Sequence, residues 1–136
     1  MLKAVVDTNI IIRIAVKDDE KQKEACIKLL DQAKNKELTL YLLPVAVLET
    51  VWMLEKYYKL PKKEVREFVE ALFNTPGIAC DMEHIFKEAI KVYEEKNIKF
   101  ADAVMGFWGL EKGITDIFTY DEKDFRRIEG LTVHKP

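Results

Sequence analysis

Leu2-Lys3-Ala4-Val5-Val6-Asp7 opens the chain: a short apolar, β-prone run that ends in a carboxylate. Its apolar character, broken only by Lys3, is that of a strand buried on both faces, as in a parallel sheet. If helices and further strands alternate after it, the fold is α/β, and they do. Thr8 or Asn9 is placed to cap a short helix through Val16. Asp18 or Asp19 caps a second helix, whose apolar stripe is Ala25, Leu29, Leu30 and Ala33. Residues 38–43 read as a second strand, and Pro44 suits the first turn of a helix running to about Tyr58. Pro61 opens another helix with Val65, Phe68, Val69 and Leu72 on one face. Thr75-Pro76-Gly77 is a turn, and residues 78–80 form a third strand. Asp81 caps a helix to about Lys96, and a helix from about Phe100 stops at Gly113. Residues 116–120 are a fourth strand, 121–127 a helical turn and 131–134 an edge strand. The expected architecture is a central, mostly parallel sheet of four to five strands flanked by helices, in one domain spanning residues 1–136.

Composition narrows the setting. Hydrophobic residues make up 49% and charged residues 34% of the 136, as in an ordinary globular protein. No run approaches the roughly 18 apolar residues of a membrane span, and the N-terminus lacks the pattern of a secretory signal. Cys26 and Cys80 have neither zinc-ribbon nor redox-motif spacing. A reduced, cytoplasmic protein is the simplest expectation, with a Cys26–Cys80 disulfide left open. The net charge of −2 does not advertise a nucleic-acid binder, but neutralising four carboxylates would take it to +2. An anionic substrate is therefore compatible with the surface.

Four carboxylates stand in apolar surroundings. Asp7 ends the first strand, and Glu49 is the only charge in residues 42–54. Asp102 lies in Phe100-Ala101-Asp102-Ala103-Val104, and Asp121 follows Ile117-Phe118-Thr119-Tyr120. Singly, each has a structural explanation. An Asp after a strand is commonly a helix N-cap, and Glu49 could pair with Arg13. Jointly they suggest more, because an apolar setting demands that a carboxylate be paired, hydrogen-bonded, protonated or bound to a metal. Ligands of parallel sheets bind at the carboxyl ends of the strands, where Asp7 and Asp121 would lie. Converging carboxylates supply the oxygen donors that Mg²⁺ and Mn²⁺ prefer, and such sites cleave phosphodiesters.

The segments Val5-Val6-Asp7-Thr8-Asn9-Ile10, Val47-Leu48-Glu49-Thr50-Val51, Phe100-Ala101-Asp102-Ala103 and Thr119-Tyr120-Asp121-Glu122-Lys123-Asp124-Phe125 resemble, in order, the four motifs of PIN-domain ribonucleases. The chain is most similar to the VapC-type toxins of prokaryotic toxin–antitoxin pairs. The resemblance implies a PIN-like three-layer α/β fold and a Mg²⁺- or Mn²⁺-dependent endoribonuclease. It implies Asp7, Glu49 and Asp102 as metal-binding and catalytic acids, with Asp121 as the fourth. Asp124 also matches a position where the family carries an acid. A homodimer, a small antitoxin protein and an RNA substrate, single-stranded or looped, are the partners it implies.

Around these acids, Thr8 and Asn9 could orient Asp7 or a water, and Thr119 could do the same at the opposite wall. Gly106 and Gly109, interior to a helix, mark close packing. His84 and His134 have no ligand spacing and read as surface residues. Trp52, Phe107 and Trp108 read as core or subunit interface. Lys56-Tyr57-Tyr58-Lys59-Leu60-Pro61-Lys62-Lys63 mixes basic and aromatic residues, which suits either a solvated corner or a grip on single-stranded RNA. Other readings remain: a non-toxin RNA-processing or structure-specific nuclease with the same acids, or a non-catalytic α/β interaction module. A phosphatase with an aspartyl nucleophile is disfavoured, since Asn9 stands where its second Asp belongs.

Overall fold

The computed structural model describes residues 1–136. Its backbone forms two compact units, Met1–Glu83 and His84–Pro136. The first unit runs β1 (Leu2–Val5), α1 (Thr8–Ala15), α2 (Glu20–Lys34), β2 (Leu38–Tyr41), α3 (Pro44–Trp52), a π-helical turn (Met53–Tyr57), α4 (Lys62–Phe73) and β3 (Ile78–Ala79). The second contains α5 (Glu83–Glu95), α6 (Phe100–Lys112), β4 (Asp116–Phe118), α7 (Glu122–Phe125) and β5 (Thr132–His134).

All five strands pair in parallel, as the alternation with helices requires. β1, β2 and β3 form a ladder in that order, with Leu2 opposite Leu38 and Leu40 opposite Ile78. β4 and β5 form a second ladder, with Ile117 opposite Val133. The expected strand count and direction hold, but hydrogen bonding divides the strands three and two. The burial expected for the first strand does not hold. β1 is an edge of its ladder, with β2 as its one partner. Val6 is buried, whereas Leu2 and Val5 are 64% and 67% exposed.

Each unit buries an apolar set of its own. In the first, Ile11, Ile12, Ala33, Leu42, Leu54, Val65 and Val69 are almost wholly inaccessible. In the second, α5 presents Ile85, Phe86, Ala89, Ile90 and Tyr93 at helical spacing, and all five are buried. Phe100, the first residue of α6, stacks on Phe86 at 5.9 Å and meets Tyr93 edge-on at 6.1 Å. These contacts seat the helix whose first turn carries Asp102.

Local chemistry explains most boundaries. Asp19 caps α2, its side chain accepting from Gln22 N at 3.0 Å. Pro44 stands in the first turn of α3, and Gly113 ends α6 in the left-handed region at φ 74°. α5 starts at Glu83, one residue later than Asp81 as a cap suggested. The helix expected to run from Pro44 to about Tyr58 leaves α geometry after Trp52 and widens to i→i+5 bonding, with Tyr58 N on Met53 O at 3.0 Å. Gly106 and Gly109 pack closely: a Cβ would stand 2.8 Å from Ile128 Cδ1 at the first and 2.6 Å from Ile114 O at the second. Cys26 and Cys80 are free thiols. Burial pushes the Cys80 thiol above its ordinary pKa, so it is a poor nucleophile at neutral pH.

Candidate active site

Asp7 leaves β1 and takes the N-cap position of α1, with φ −76° and ψ 149°. Its carbonyl starts the helix by accepting from Ile10 N at 3.0 Å. Its exposed side chain makes no cap hydrogen bond. The sequence suggested Thr8 or Asn9 as cap. Instead Thr8 is the first helical residue, 7% exposed, and its hydroxyl donates to Glu49 Oε1 at 2.9 Å. A hydrogen bond to a charged group contributes about 1.5–3 kcal/mol, so Thr8 fixes Glu49 on the residue next to Asp7. The side chain of Asn9 is exposed.

Glu49 does not pair with Arg13. The Arg13 guanidinium lies 3.2 Å from both Asp18 oxygens, and its Nε donates to Gln22. Arg13 belongs instead to a brace between α1 and the α1–α2 connection. The brace extends to Tyr58, whose hydroxyl donates to Asp18 Oδ2 at 3.0 Å.

In the second unit, Asp102 lies half-buried in the first turn of α6, where the helix dipole favours a negative charge. Burial nevertheless pushes its carboxyl above the ordinary carboxylate range. The Asp124 charge adds to this, Lys99 opposes it, and Asp121 contributes last. Asp102 therefore lies within electrostatic reach of both Asp124 and Asp121. Asp124 is 7% exposed, and its Oδ2 accepts from Lys99 N at 3.0 Å, capping the start of α6. Asp121 takes the N-cap position of α7 without capping it. Its exposed carboxylate stands 3.4 Å from Lys99 Nζ. The Thr119 hydroxyl accepts from Asp121 N at 2.9 Å and shapes the turn out of β4.

Sequence reading overlooked Lys99. It lies three residues before Asp102, a spacing that does not by itself single out a lysine. Its ammonium pairs with one acid, its amide holds a second, and its charge eases the third. The two histidines stand apart from these acids in their pairing: His84 with Glu111 at 2.6 Å and His134 with Asp116 at 2.7 Å. Trp52 is 63% exposed, so it is not core, and Trp108 is also exposed.

A match to the PIN domain family covers residues 4–131, nearly the whole chain. This chain is a PIN-domain protein. It is also similar to a VapC ribonuclease of Aquifex aeolicus (strain VF5), at 22% identity over 130 residues, which cover 96% of this chain and 95% of that protein.

No three of the chain's His, Cys, Asp and Glu side chains stand together as a ready-made metal site. The donors of this PIN-domain chain still fit a hard divalent cation in kind. All are carboxylates, two hold cap positions without capping, and one is destabilised by burial and by its acidic neighbours. A stability test follows. Asp102→Asn removes a charge that burial and the nearby Asp124 and Asp121 disfavour, and keeps the side-chain shape. At neutral pH and without metal it is expected to melt higher than the parent, by less than about 1 kcal/mol because solvent screens the cluster. A lower melting temperature in EDTA would contradict the repulsion.

Proposed function

We propose that the two units work as one nuclease domain that hydrolyses RNA phosphodiester bonds with Mg²⁺ or Mn²⁺, as the toxin of a toxin–antitoxin pair. Asp7, Glu49, Asp102 and Asp121 would hold the metal. The observation that carries this reading is the behaviour of Asp7 and Asp121. Both occupy helix N-cap positions, the ordinary structural reason for an Asp after a strand, and neither side chain caps. Family membership over residues 4–131 supports a chemical role for these two acids. The toxin reading draws on the likeness to the VapC ribonuclease.

Held by these carboxylates, a divalent ion would polarise the phosphodiester and lower the pKa of water, so that hydroxide is available as the nucleophile near neutral pH. The chain's own residues do the rest. Thr8 holds Glu49 in place, and Asp124 anchors the first turn of α6, so that Asp102 is presented on a fixed backbone. Lys99 balances charge among the acids of the second unit. Asp124 is buried and already hydrogen-bonded to Lys99 N, which suits a positioning residue, whereas exposed Asp121 suits the fourth ligand.

RNA cleavage through the 2′-OH needs a general base and acid, typically paired histidines, and leaves a cyclic phosphate. His84 and His134 have separate carboxylate partners, Glu111 and Asp116, and do not pair with each other. The carboxylate set suits in-line attack by water instead. Cleavage is therefore expected to leave 5′-phosphate and 3′-hydroxyl ends, read by end-group analysis of a labelled RNA after Mn²⁺-dependent cutting. Cyclic phosphate ends would reject this mechanism. A toxin must also be silenced in its host, so co-purification from that host should return a homodimer with a small antitoxin. A lone monomer would favour a nuclease of another role.

A further inference from the structure

The π-helical turn changes what α3 presents. In an α-helix, positions five apart lie about 140° apart around the axis. Where bonding widens to i→i+5, position i+5 takes the place that i+4 holds in an α-helix, one turn on and on the same side of the axis. Met53–Tyr57 is such a turn, so it carries Tyr57 to the side of the helix that Trp52 occupies, one turn on. Trp52 in turn stands three residues beyond Glu49, on the same helical face. The result is a column that begins at a proposed metal-binding acid and continues through two large aromatic rings. Trp52 is 63% exposed and Tyr57 70% exposed. Tyr57 lies about 12 Å from Glu49 along the axis, at the rise of an α-helix.

Tyr57 is exposed but buttressed. The Tyr58 ring meets it edge-on at 4.8 Å and 79°. Tyr58 is fixed in turn by Asp18 at 3.0 Å, and Asp18 by Arg13. Burial and the bond to Asp18 raise the Tyr58 pKa, so its hydroxyl stays protonated and the brace intact. A rigid exposed aromatic ring binds a flat partner with little loss of side-chain entropy. The surroundings are basic. Residues 56–63 contain four lysines and no acid. Lys56 and Lys62 share Glu55, at 2.8 and 3.5 Å, while Lys59 and Lys63 are exposed and take part in none of the ion pairs.

We propose that the Trp52–Tyr57 column, flanked by Lys56, Lys59 and Lys63, is the stacking platform on which single-stranded RNA enters the site at Glu49. The inference rests on the nuclease reading for its substrate and goes beyond it in naming the strand's track. Bases stack on the two rings, and the lysines meet the phosphates. Charge selects this occupant over a second copy of the chain. A two-fold contact on this face would set the same lysines against each other. The rings select a nucleic acid over an acidic peptide, since every base has a face to stack.

The test measures binding of a short fluorescein-labelled oligouridylate, by anisotropy, to Asp7→Asn protein in EDTA, where neither metal nor cleavage enters. Tyr57→Ala should weaken binding roughly ten-fold and Tyr57→Phe less than about two-fold, because the second keeps the stacking face. Lys59→Gln with Lys63→Gln should flatten the slope of log affinity against log salt by about 0.7 for each phosphate that a lysine no longer neutralises. The same strand annealed to its complement should bind the parent and Tyr57→Ala alike. Unchanged affinity in Tyr57→Ala overturns the proposal, and so does equal weakening in Tyr57→Phe. If Trp52→Ala converts a dimer to a monomer in sedimentation while RNA affinity holds, the face belongs to a second copy and the platform is rejected. The nuclease reading fails on a different result: cleavage by Asp7→Asn protein in Mn²⁺.

Discussion

Asp7→Asn is expected to abolish Mn²⁺-dependent RNA cleavage while leaving the metal-free fold at least as stable as the parent. The two halves of this outcome have separate causes. Loss of activity follows from charge: an amide oxygen is a weaker donor to a hard cation than a carboxylate and neutralises none of its charge. Removing one group that stabilises the transition state costs at least about a hundred-fold in rate. Retained stability follows from geometry. The Asp7 side chain makes no cap hydrogen bond and is exposed, so nothing structural is lost. Asparagine is as good an N-cap residue as aspartate, and the change in stability should lie within about 0.5 kcal/mol. Asp124→Asn provides the contrast. That carboxylate is buried and bonded to Lys99 N, so weakening it should lower the melting temperature as well as the activity. Gel assays of cleavage beside thermal melts in EDTA read both halves. Full activity in Asp7→Asn protein would remove the basis for the metal site. Inactivity with a lowered melting temperature would make Asp7 a structural residue.

What could be read from the chain alone was set by the range of the interaction. Helices and strands follow from periodicity and local caps. Asp19 on α2, Pro44 in α3 and Gly113 after α6 were all recognisable because the groups that define them lie within a few residues. Thr8 was legible as a residue of interest, but its partner was not. Its hydroxyl turns to Glu49, 41 residues away, instead of serving its own helix. Arg13 likewise binds Asp18, where opposite charge in an apolar segment had pointed to Glu49. The π-helical turn had no sequence signal, since the pattern through residues 44–58 suits an unbroken helix. The exposure of β1 was hidden for another reason. An apolar run does not state how many of its faces or edges will be covered. The acids themselves were legible because each breaks an apolar pattern. Lys99 was not, because a lysine before a helix is an ordinary surface residue until Asp121 and Asp124 are seen around it.

Gly77→Ala should be among the most damaging single-atom additions to this fold, and Gly113→Ala shows why. Both glycines sit in the left-handed region, at φ 88° and 74°. An L-residue there costs roughly 1–2 kcal/mol from its own backbone, and at Gly113 that is the whole penalty, because a Cβ would meet nothing within 4 Å. At Gly77 the same Cβ would stand 2.4 Å from Ala33 O and 2.8 Å from Ala33 Cβ. Neither side can yield cheaply. Ala33 is fully buried near the end of α2, and its carbonyl accepts from Lys36 N at 3.0 Å. Gly77 is held by its own carbonyl, which accepts from Leu40 N at 2.8 Å at the start of the β2–β3 pairing. Relief of the clash must therefore displace α2 or break the ladder. Overpacking of this kind adds about 1–3 kcal/mol, so Gly77→Ala should cost about 2–5 kcal/mol in all, a large share of the roughly 5–15 kcal/mol that holds a typical domain together. Gly113→Ala should cost no more than about 2 kcal/mol. Chemical denaturation of the two variants beside the parent separates the terms, because the backbone penalty is common and the clash is not. Equal losses in both would show that α2 and the turn before β3 are not packed as closely as Ala33 and Gly77 require.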